Sequence, residues 1–228
     1  MKYNNITSGI FVERTNRFIA RVKIDEDIEI VHVRNTGRCK EILIEGTRVY
    51  LEKSNNPDRK TKYSIICAYK NDLLINIDSQ VPNQVVYEAI KGNLIKNFNN
   101  LKYIKREVTF KNSRFDIYYE TDIEKGFIEV KGVTLEENGI SKFPDAPTKR
   151  GVKHLNEMIE ATKEGYKGHI FFLIQMKSIK KFTPNYKTDK EFSNTLYKAS
   201  KNGVDIIAYN TIVEKDRLSI KDKVEVFF

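Results

Sequence analysis

The chain contains no tryptophan, two cysteines, three histidines and five prolines in 228 residues. Two cysteines, Cys39 and Cys67, cannot staple a chain of this length into a disulfide framework, and they lack the spacing of a zinc site. Three histidines argue against a histidine-rich metal centre. Such low cysteine usage is typical of proteins in a reducing compartment, so we expect a cytoplasmic protein.

Long apolar runs are also missing from the sequence. No stretch of about 18 consecutive apolar residues occurs, so no segment is expected to span a membrane. The first residues, Met1 to Ile6, lack the apolar core of a signal peptide. We therefore expect no membrane partner. The sequence leaves open whether the protein is a monomer or a homodimer.

Charge is present in excess on the basic side. The chain has 40 Lys and Arg against 31 Asp and Glu, a net charge of +9, together with 13 Phe and 12 Tyr. A chain of this length buries roughly 70% of its unfolded surface, which is enough for a stable core. The composition is that of a globular protein, and its basic surface favours a polyanion such as DNA as partner.

The pattern of the chain changes near residue 82. Before that point, β-rich runs alternate with turn residues, which predicts a small closed or nearly closed β-barrel over residues 1–82. After it, the element order reads α-β-β-β-α-β-α-β. Asn83, Thr148 and Asp189 mark the starts of three helices, the first of which is expected to run to about Asn97. Residues 83–228 are therefore predicted to form a mixed α/β domain behind an all-β one.

Candidate catalytic side chains lie on two neighbouring strands of the second domain. Side chains alternate along a strand, so Glu129 and Lys131 share one face, and a hairpin would place Asp116 opposite them. Two carboxylates, helped by the Val130 carbonyl, suit Mg²⁺ or Mn²⁺. Glu88, at the edge of the apolar stripe of the preceding helix, offers a third carboxylate.

The order Glu, Asp, Glu-x-Lys on an α-β-β-β-α-β frame resembles the PD-(D/E)XK nuclease superfamily. The literal Pro144-Asp145 follows Glu129-x-Lys131 and is therefore not the motif aspartate. A Glu-x-Lys pair also occurs commonly on solvated sheet faces. Glu129 and Lys131 by themselves therefore leave open the alternative of a solvent-exposed strand face without catalytic function.

Further sequence blocks occur in order along nearly the whole chain. They are Arg14-Thr15-Asn16-Arg17-Phe18, Asn35-Thr36-Gly37-Arg38, Arg59-Lys60-Thr61, Ser113-Arg114-Phe115-Asp116, Glu129-Val130-Lys131, Phe143 to Gly151, and Lys153-His154-Leu155. Together they resemble the sugar fermentation stimulation protein A family. The resemblance implies an N-terminal OB-fold-like β-barrel, a C-terminal PD-(D/E)XK, restriction-endonuclease-like domain, and DNA binding.

Basic residues of both domains are candidates for nucleic-acid contacts. Arginine forks bind phosphate well, and the second helix begins with two basic residues where an anion would offset the helix dipole. The candidates are Arg14, Arg17, Arg21, Arg34, Arg38, Arg114, Lys149 and Arg150. Phe18 is expected in the core. His154 is interpreted as a packed or capping histidine and not as a metal ligand.

The sequence thus predicts a DNA-binding protein with a metal-dependent nuclease-like site that hydrolyses DNA phosphodiesters, a Mg²⁺-dependent deoxyribonuclease. Asp116 and Glu129 would bind the metal, Lys131 would position the attacking water, and Glu88 would complete the site. The alternative is a non-catalytic DNA-binding regulator of sugar metabolism genes on a nuclease scaffold. A sugar-binding protein is disfavoured, because no aromatic platform is tied to a sugar pocket.

Overall fold

The structure, a computed structural model, describes residues 1–35 and 37–228. Thr36, in the Asn35–Arg38 block, lies outside the described residues. In the first part of the chain the strands are β1 (Ile6–Arg14), β2 (Ile19–Ile24), β3 (Asp27–Val33), β4 (Arg48–Lys53), β5 (Tyr63–Lys70) and β6 (Leu73–Asn76).

The rest of the chain mixes helices and strands, with a single 3₁₀ turn at Lys96–Phe98 among the described residues. The helices are α1 (Pro82–Lys91), α2 (Lys149–Lys163) and α3 (Lys190–Lys201). The strands are β7 (Tyr103–Phe110), β8 (Ser113–Glu120), β9 (Lys125–Val133), β10 (Leu135–Glu137), β11 (Ile140–Phe143), β12 (Lys167–Ile174), β13 (Lys181–Pro184), β14 (Val204–Val213), β15 (Leu218–Lys223) and β16 (Glu225–Val226). No helix in the described part of the chain is both long and apolar enough to cross a membrane.

The first part forms a closed five-stranded barrel. Its strands run in the order β3-β2-β1-β4-β5, and a parallel pairing of β3 with β5 closes the ring. β2 illustrates the alternation that builds it, since Ala20 and Val22 are fully buried while Arg21 and Lys23 face outward. The predicted OB-like barrel is confirmed.

The second part is built on a six-stranded mixed sheet in the order β15-β14-β12-β9-β8-β7. β12 is buried on both faces, as its continuous apolar sequence predicts. It contributes Phe171 and Leu173 to the hydrophobic cluster that contains α1, and Ile170 and Phe172 to the cluster that contains α2 and α3. The predicted mixed α/β class is confirmed, and the predicted elements occur in the predicted order, with β15 as an additional edge strand of the sheet. A small sheet of β10, β11, β13 and β16 was not predicted, because strands of two to four residues carry too little pattern.

The prediction for the first helix was wrong at both ends. Asn83 does not cap α1, whose N-cap is Val81 without a side-chain hydrogen bond. The helix ends at Lys91 instead of Asn97, because Gly92 closes it and Asn93 adopts a left-handed φ of 55°. Leu94, which would lie within the longer predicted helix, follows this end and is 64% exposed.

The other two helices begin where the sequence predicted. The Thr148 side chain accepts a hydrogen bond from the Gly151 N–H at 3.0 Å, and Asp189 accepts one from the Phe192 N–H at 2.9 Å. Asp189 also accepts from the Thr148 N–H at 2.8 Å. One carboxylate therefore ties the start of α3 to the start of α2 and fixes the position of both helices.

The barrel and the mixed sheet share one hydrophobic core. A single buried cluster includes Ile65 and Ile75 of the first part together with Phe172 and Met176 of the second part. At the junction the Gln175 amide donates to the Asn76 side-chain oxygen at 2.8 Å and to the Asp78 carbonyl at 3.0 Å. These contacts hold the two parts in a fixed relation. The predicted division at residue 82 stays a prediction.

A buried histidine at the N-terminal end of β12 makes stability depend on pH. His169 is 3% exposed, and its Nε2 lies 2.8 Å from the Tyr119 hydroxyl. Burial lowers the pKa of His169 to about 4, against an ordinary value near 6.5. Between these values the unfolded chain binds a proton that the folded chain does not bind, so stability falls as the pH drops from about 6.5 toward 4.

Replacing His169 by phenylalanine is expected to remove most of this loss. The native protein should lose about 2 kcal/mol of unfolding free energy between pH 7 and pH 5 through this group, while His169→Phe keeps an aromatic ring beside Phe98. Urea denaturation at both pH values measures the difference. An equal loss in the native protein and the variant would assign the pH dependence to other groups.

Candidate active site

Asp116 and Glu129 meet where β8 and β9 separate. The antiparallel ladder between the two strands ends at the pair Ile117 and Ile128. Beyond it the Asp116 carboxylate takes the place of a backbone partner, since its Oδ2 accepts the Val130 N–H at 2.8 Å. The N–H and C=O of one strand residue point to the same neighbour. The Val130 carbonyl therefore also faces the side of Asp116, as the predicted site requires.

The α1 residue that reaches this cluster is Asn83. Its side-chain amide donates to Asp116 Oδ1 at 2.6 Å. Glu88 lies five residues further on, which at about 100° per residue is about 140° around the helix. It is 45% exposed and pairs with the Met1 amino group at 2.9 Å. The structure thus does not bring Glu88 to Asp116 and Glu129.

Glu129 has two differently used oxygens. Its side chain is 3% exposed, and Oε1 accepts hydrogen bonds from the Lys131 ammonium and from His154 Nδ1, the latter at 2.5 Å. Oε2 is buried and has no hydrogen-bond partner among the described residues. A buried polar atom without a hydrogen-bond partner lowers the folding stability by about 1–3 kcal/mol, and by more when the group is charged. A second ligand for Oε2 would recover that cost.

His154 connects Glu129 to the surface. It is 5% exposed and lies on α2, with its ring near Phe115. Arg150 Nε lies 3.4 Å from His154 Nε2 and can only donate, so Nε2 accepts and Nδ1 carries the proton that is given to Glu129. The interpretation of His154 as a packed histidine missed this contact with the carboxylate.

The two carboxyl groups have opposite pKa shifts. Burial, with the charge of Glu129 added to it, raises the pKa of Asp116 to about 6, against the opposing effects of the Val130 N–H, Lys131 and Asn83. Burial also works to raise the pKa of Glu129, but the charge of Lys131 and the hydrogen bond from His154 outweigh it and hold that pKa below its usual value. A cation near both carboxylates would favour the ionised form of Asp116.

The donor set fits a hard divalent cation that keeps most of its water. Asp116 and Glu129 supply carboxylate oxygens, and Oε2 of Glu129 is the unpartnered one. No group of three or more His, Cys, Asp or Glu side chains placed to hold a metal occurs in residues 1–35 and 37–228. Mg²⁺ is commonly held by one or two carboxylates together with waters and substrate phosphates. The pair therefore suits Mg²⁺ or Mn²⁺ and does not suit an all-protein cage.

Two of the candidate nucleic-acid arginines are committed inside the protein. The Arg14 guanidinium donates to four backbone carbonyls, of Arg17, Asn35, Gly37 and Arg38, at 2.6–2.8 Å. Arg34 pairs with Glu52 at 2.6 Å and with the fully buried Asp78 at 3.1 Å. Because the terminal guanidinium nitrogens of both residues are used within the fold, the structure places neither guanidinium where a phosphate would be its partner.

The other six candidates have exposed side chains. Arg21 pairs with Glu13 at 3.0 Å, and Arg114 lies 3.7 Å from Glu107. Arg17, Arg38, Lys149 and Arg150 are exposed and have no acidic partner within salt-bridge distance in the described part of the chain. They remain candidates for phosphate contacts.

Phe18 was expected in the core and is instead 49% exposed. It follows Arg17 in the loop between β1 and β2, where Asn16 accepts the N–H groups of Phe18 and Ile19 at 2.9 and 3.1 Å. This turn places Phe18 just before β2, which begins at Ile19. The Phe18 ring is therefore not part of the alternating pattern of β2 that buries Ala20 and Val22.

Two of the sequence blocks meet across the junction of barrel and sheet. A Cβ at Gly37 would stand 2.5 Å from Asp145 Oδ2, so a side chain there would force the Asp145 carboxylate to move. Asp145 precedes α2 by a few residues, and α2 carries Lys149, Arg150 and His154. The blocks around residues 35–38 and 143–151 thus bring the barrel loop next to the helix that contacts Glu129.

Comparison with known proteins finds family models and relatives that cover nearly the whole chain. Residues 80–217 match the family model described as "Sugar fermentation stimulation protein RE domain", and residues 12–77 match "SfsA N-terminal OB domain". The sugar fermentation stimulation protein homolog of Clostridium beijerinckii is 56% identical, with 99% of each chain covered. That of Alkaliphilus oremlandii is 53% identical, covering 99% of this chain and 98% of the relative.

A solved structure is similar over the whole length. It is described as the structure of Pyrococcus furiosus SfsA in complex with Ca²⁺, and it superposes with a TM-score of 0.91 at 28% identity, covering 100% of this chain and 98% of the other. Family models cover both the barrel and the mixed sheet, and relatives above 50% identity span almost the entire chain. The chain belongs to the sugar fermentation stimulation protein family.

Proposed function

We propose that this protein is a Mg²⁺- or Mn²⁺-dependent deoxyribonuclease, with Asp116, Glu129 and the Val130 carbonyl as metal ligands. The observation that carries the proposal is the buried Glu129 Oε2, which has no partner among the described residues while Oε1 of the same carboxylate has two. A carboxylate held in this way presents one oxygen to a cation. The Ca²⁺ in the described complex of the Pyrococcus furiosus relative supports a divalent site in this chain.

The chain's own residues supply orientation and charge. Asn83 and the Val130 N–H hold the two oxygens of Asp116, and His154 and Lys131 hold Glu129. A bound Mg²⁺ would polarise the scissile phosphate and lower the pKa of an attacking water. The Lys131 ammonium, 16% exposed, is placed to orient that water or to offset charge on the phosphate. Glu88 is given no role in the reaction.

DNA is the substrate that the surface supports. Exposed basic residues flank the contact between Gly37 and Asp145. Arg17 and Arg38 lie on the side of the OB barrel, and Lys149 and Arg150 lie on the side of α2. Positive side chains that neutralise phosphates release counterions, so binding should weaken steeply with salt. Arg14 and Arg34 are proposed to shape the barrel loops and not to bind phosphate.

The proposal is tested by a cleavage assay on plasmid and oligonucleotide DNA across a series of Mg²⁺, Mn²⁺ and chelator concentrations. Metal-dependent nicking or degradation that follows the protein through purification supports it. Tight, salt-dependent DNA binding without cleavage under any metal would replace it with the non-catalytic regulator. A protein that neither cleaves nor binds DNA would refute both the deoxyribonuclease and the non-catalytic regulator.

Metal binding has a readout that does not depend on activity. A cation that binds only the folded chain raises the melting temperature according to its concentration relative to Kd. We expect Mn²⁺ to raise the Tm of the native protein and to leave that of Glu129→Gln unchanged. The glutamine oxygen can still accept from Lys131 and His154, while an amide nitrogen replaces the unpartnered Oε2. An equal Tm rise in both proteins would place the metal elsewhere.

A further inference from the structure

The barrel carries a small cavity that the reaction proposed above does not use. Its volume is about 290 Å³, at the small end of ligand pockets, which is the scale of a single nucleotide-sized group. It lies between the β1–β2 loop and the segment after β3. Its lining includes Asn16, Arg17, Gly37, Arg38, Lys40 and Leu43.

The walls of this cavity are held in place by internal hydrogen bonds. Arg14 ties the β1–β2 loop to the opposite segment, because its guanidinium donates both to the Arg17 carbonyl and to the carbonyls of Asn35, Gly37 and Arg38. Asn16 fixes the turn before Phe18. A ligand would therefore meet a preformed site, which lowers the entropic cost of binding.

The chemistry of the lining matches a nucleotide. Arg17, Arg38 and Lys40 are exposed, and of the described residues that line the cavity none is acidic. The Leu43 side chain, 8% exposed, adds an apolar surface among these cations. Cations beside an apolar wall suit a phosphate joined to a planar base.

An exposed aromatic ring, that of Phe18, follows the lining residue Arg17 and is not itself part of the cavity lining. The ring is 49% exposed and lies in the same loop as Arg17. Bases of a duplex are stacked on one another, whereas unpaired bases stack on exposed aromatic rings and gain affinity without sequence preference. Phosphate contacts alone would be equally available to both forms of DNA.

The cavity is also connected to the carboxylates. Gly37 touches Asp145, and from Thr148 to His154 the helix α2 advances about 9 Å toward Glu129. Lys149 and Arg150 are exposed along this stretch. Basic side chains thus lead from the cavity to the site proposed for hydrolysis.

We propose that this cavity binds one unpaired nucleotide of single-stranded DNA, with Phe18 as the stacking surface and Arg17, Arg38 and Lys40 at the phosphates. The proposal deepens the deoxyribonuclease function and rests on it. It makes a single-stranded segment the part of the substrate that the barrel holds.

The test is fluorescence anisotropy with the full chain carrying Asp116→Asn, which prevents cleavage during the measurement. A labelled 12-residue oligothymidylate and a 12-base-pair duplex are the probes. Phe18→Leu keeps an apolar side chain without the ring, Phe18→Tyr keeps the ring, and Ile30→Ala is the matched control at another exposed apolar residue of the barrel. An oligouridylate of the same length separates DNA from RNA.

We expect Phe18→Leu to weaken single-strand binding about 5- to 150-fold with little change for the duplex. Phe18→Tyr should restore affinity, and Ile30→Ala should leave it unchanged. Unchanged single-strand affinity in Phe18→Leu, an equal loss for the duplex, or a loss confined to oligouridylate would overturn the assignment. If the native protein cleaves DNA and Phe18→Leu does not change single-strand binding, the nucleotide-binding role of the cavity is refuted and the nuclease is not. A strand-selective effect in a protein that never cleaves would refute the nuclease and leave the cavity.

Discussion

Replacing Asp116 by asparagine is expected to lower Mg²⁺-dependent DNA cleavage by at least about 10³-fold, which corresponds to about 4 kcal/mol of activation free energy. The carboxylate stands where β8 leaves β9, and it accepts from both the Val130 N–H and Asn83. An asparagine of the same shape has one oxygen in place of two and carries no charge. It removes a metal ligand while leaving the strands in place.

The measurement is kcat/KM on a labelled duplex and a labelled single strand, with circular dichroism to show that the variant is folded. Glu88→Gln is the matched control, because Glu88 is an exposed carboxylate that contacts the Met1 amino group and not Asp116. Its cleavage rate should change by less than about twofold, as expected for a surface substitution. Cleavage by Asp116→Asn within tenfold of the native rate, or an equal loss in Glu88→Gln, would contradict the site.

Replacing His154 by phenylalanine is expected to lower the affinity for Mn²⁺ about 10- to 100-fold and to lower cleavage with it. Phenylalanine keeps an aromatic ring beside Phe115 but cannot donate to Glu129 Oε1. The carboxylate then keeps only Lys131 and is free to rotate Oε2 away from the metal position. His154 acts here as a positioning residue.

Calorimetric titration with Mn²⁺ separates this role from simple packing. His154→Asn places an amide donor near the position of Nδ1 and should recover much of the lost metal affinity, even if it packs less well than phenylalanine. A histidine that only fills space would give the reverse order, with His154→Phe close to native affinity and His154→Asn the weaker binder. That order would remove His154 from the site.

Much of this fold was predictable because its long elements carry strong patterns. The barrel strands alternate, β12 is continuously apolar, and Thr148 and Asp189 are caps that the structure uses. α1 failed because Gly92 and Asn93 end it while the apolar pattern continues for several residues. The backbone conformation at these two residues ends the helix even though the helical spacing of apolar residues continues.

The candidate site was predictable along the strands and less so across the helices. Strand alternation correctly gave a shared face for Glu129 and Lys131, and a hairpin register brought Asp116 near them. Which α1 residue reaches Asp116 depends on the rotation of the helix about its axis. That rotation is set by packing, so Asn83 was found where Glu88 was expected.

Arginines were the least predictable side chains. Arg14 and Arg17 are three residues apart, yet Arg14 donates to four carbonyls inside a loop and Arg17 is exposed. Composition treats the two alike, because a basic residue can bind a backbone carbonyl as well as a phosphate. The amino-acid sequence does not show which backbone carbonyls lack a backbone hydrogen-bond donor in the folded protein.

Anomalous diffraction from a crystal of the native protein soaked in Mn²⁺ tests the proposed metal site most directly. We predict a Mn²⁺ peak between Asp116 and Glu129, on the side of Oε2, which is lost in Glu129→Gln. A peak that persists in Glu129→Gln, a peak at other residues only, or the absence of any peak at a concentration that supports cleavage would contradict the proposed metal site.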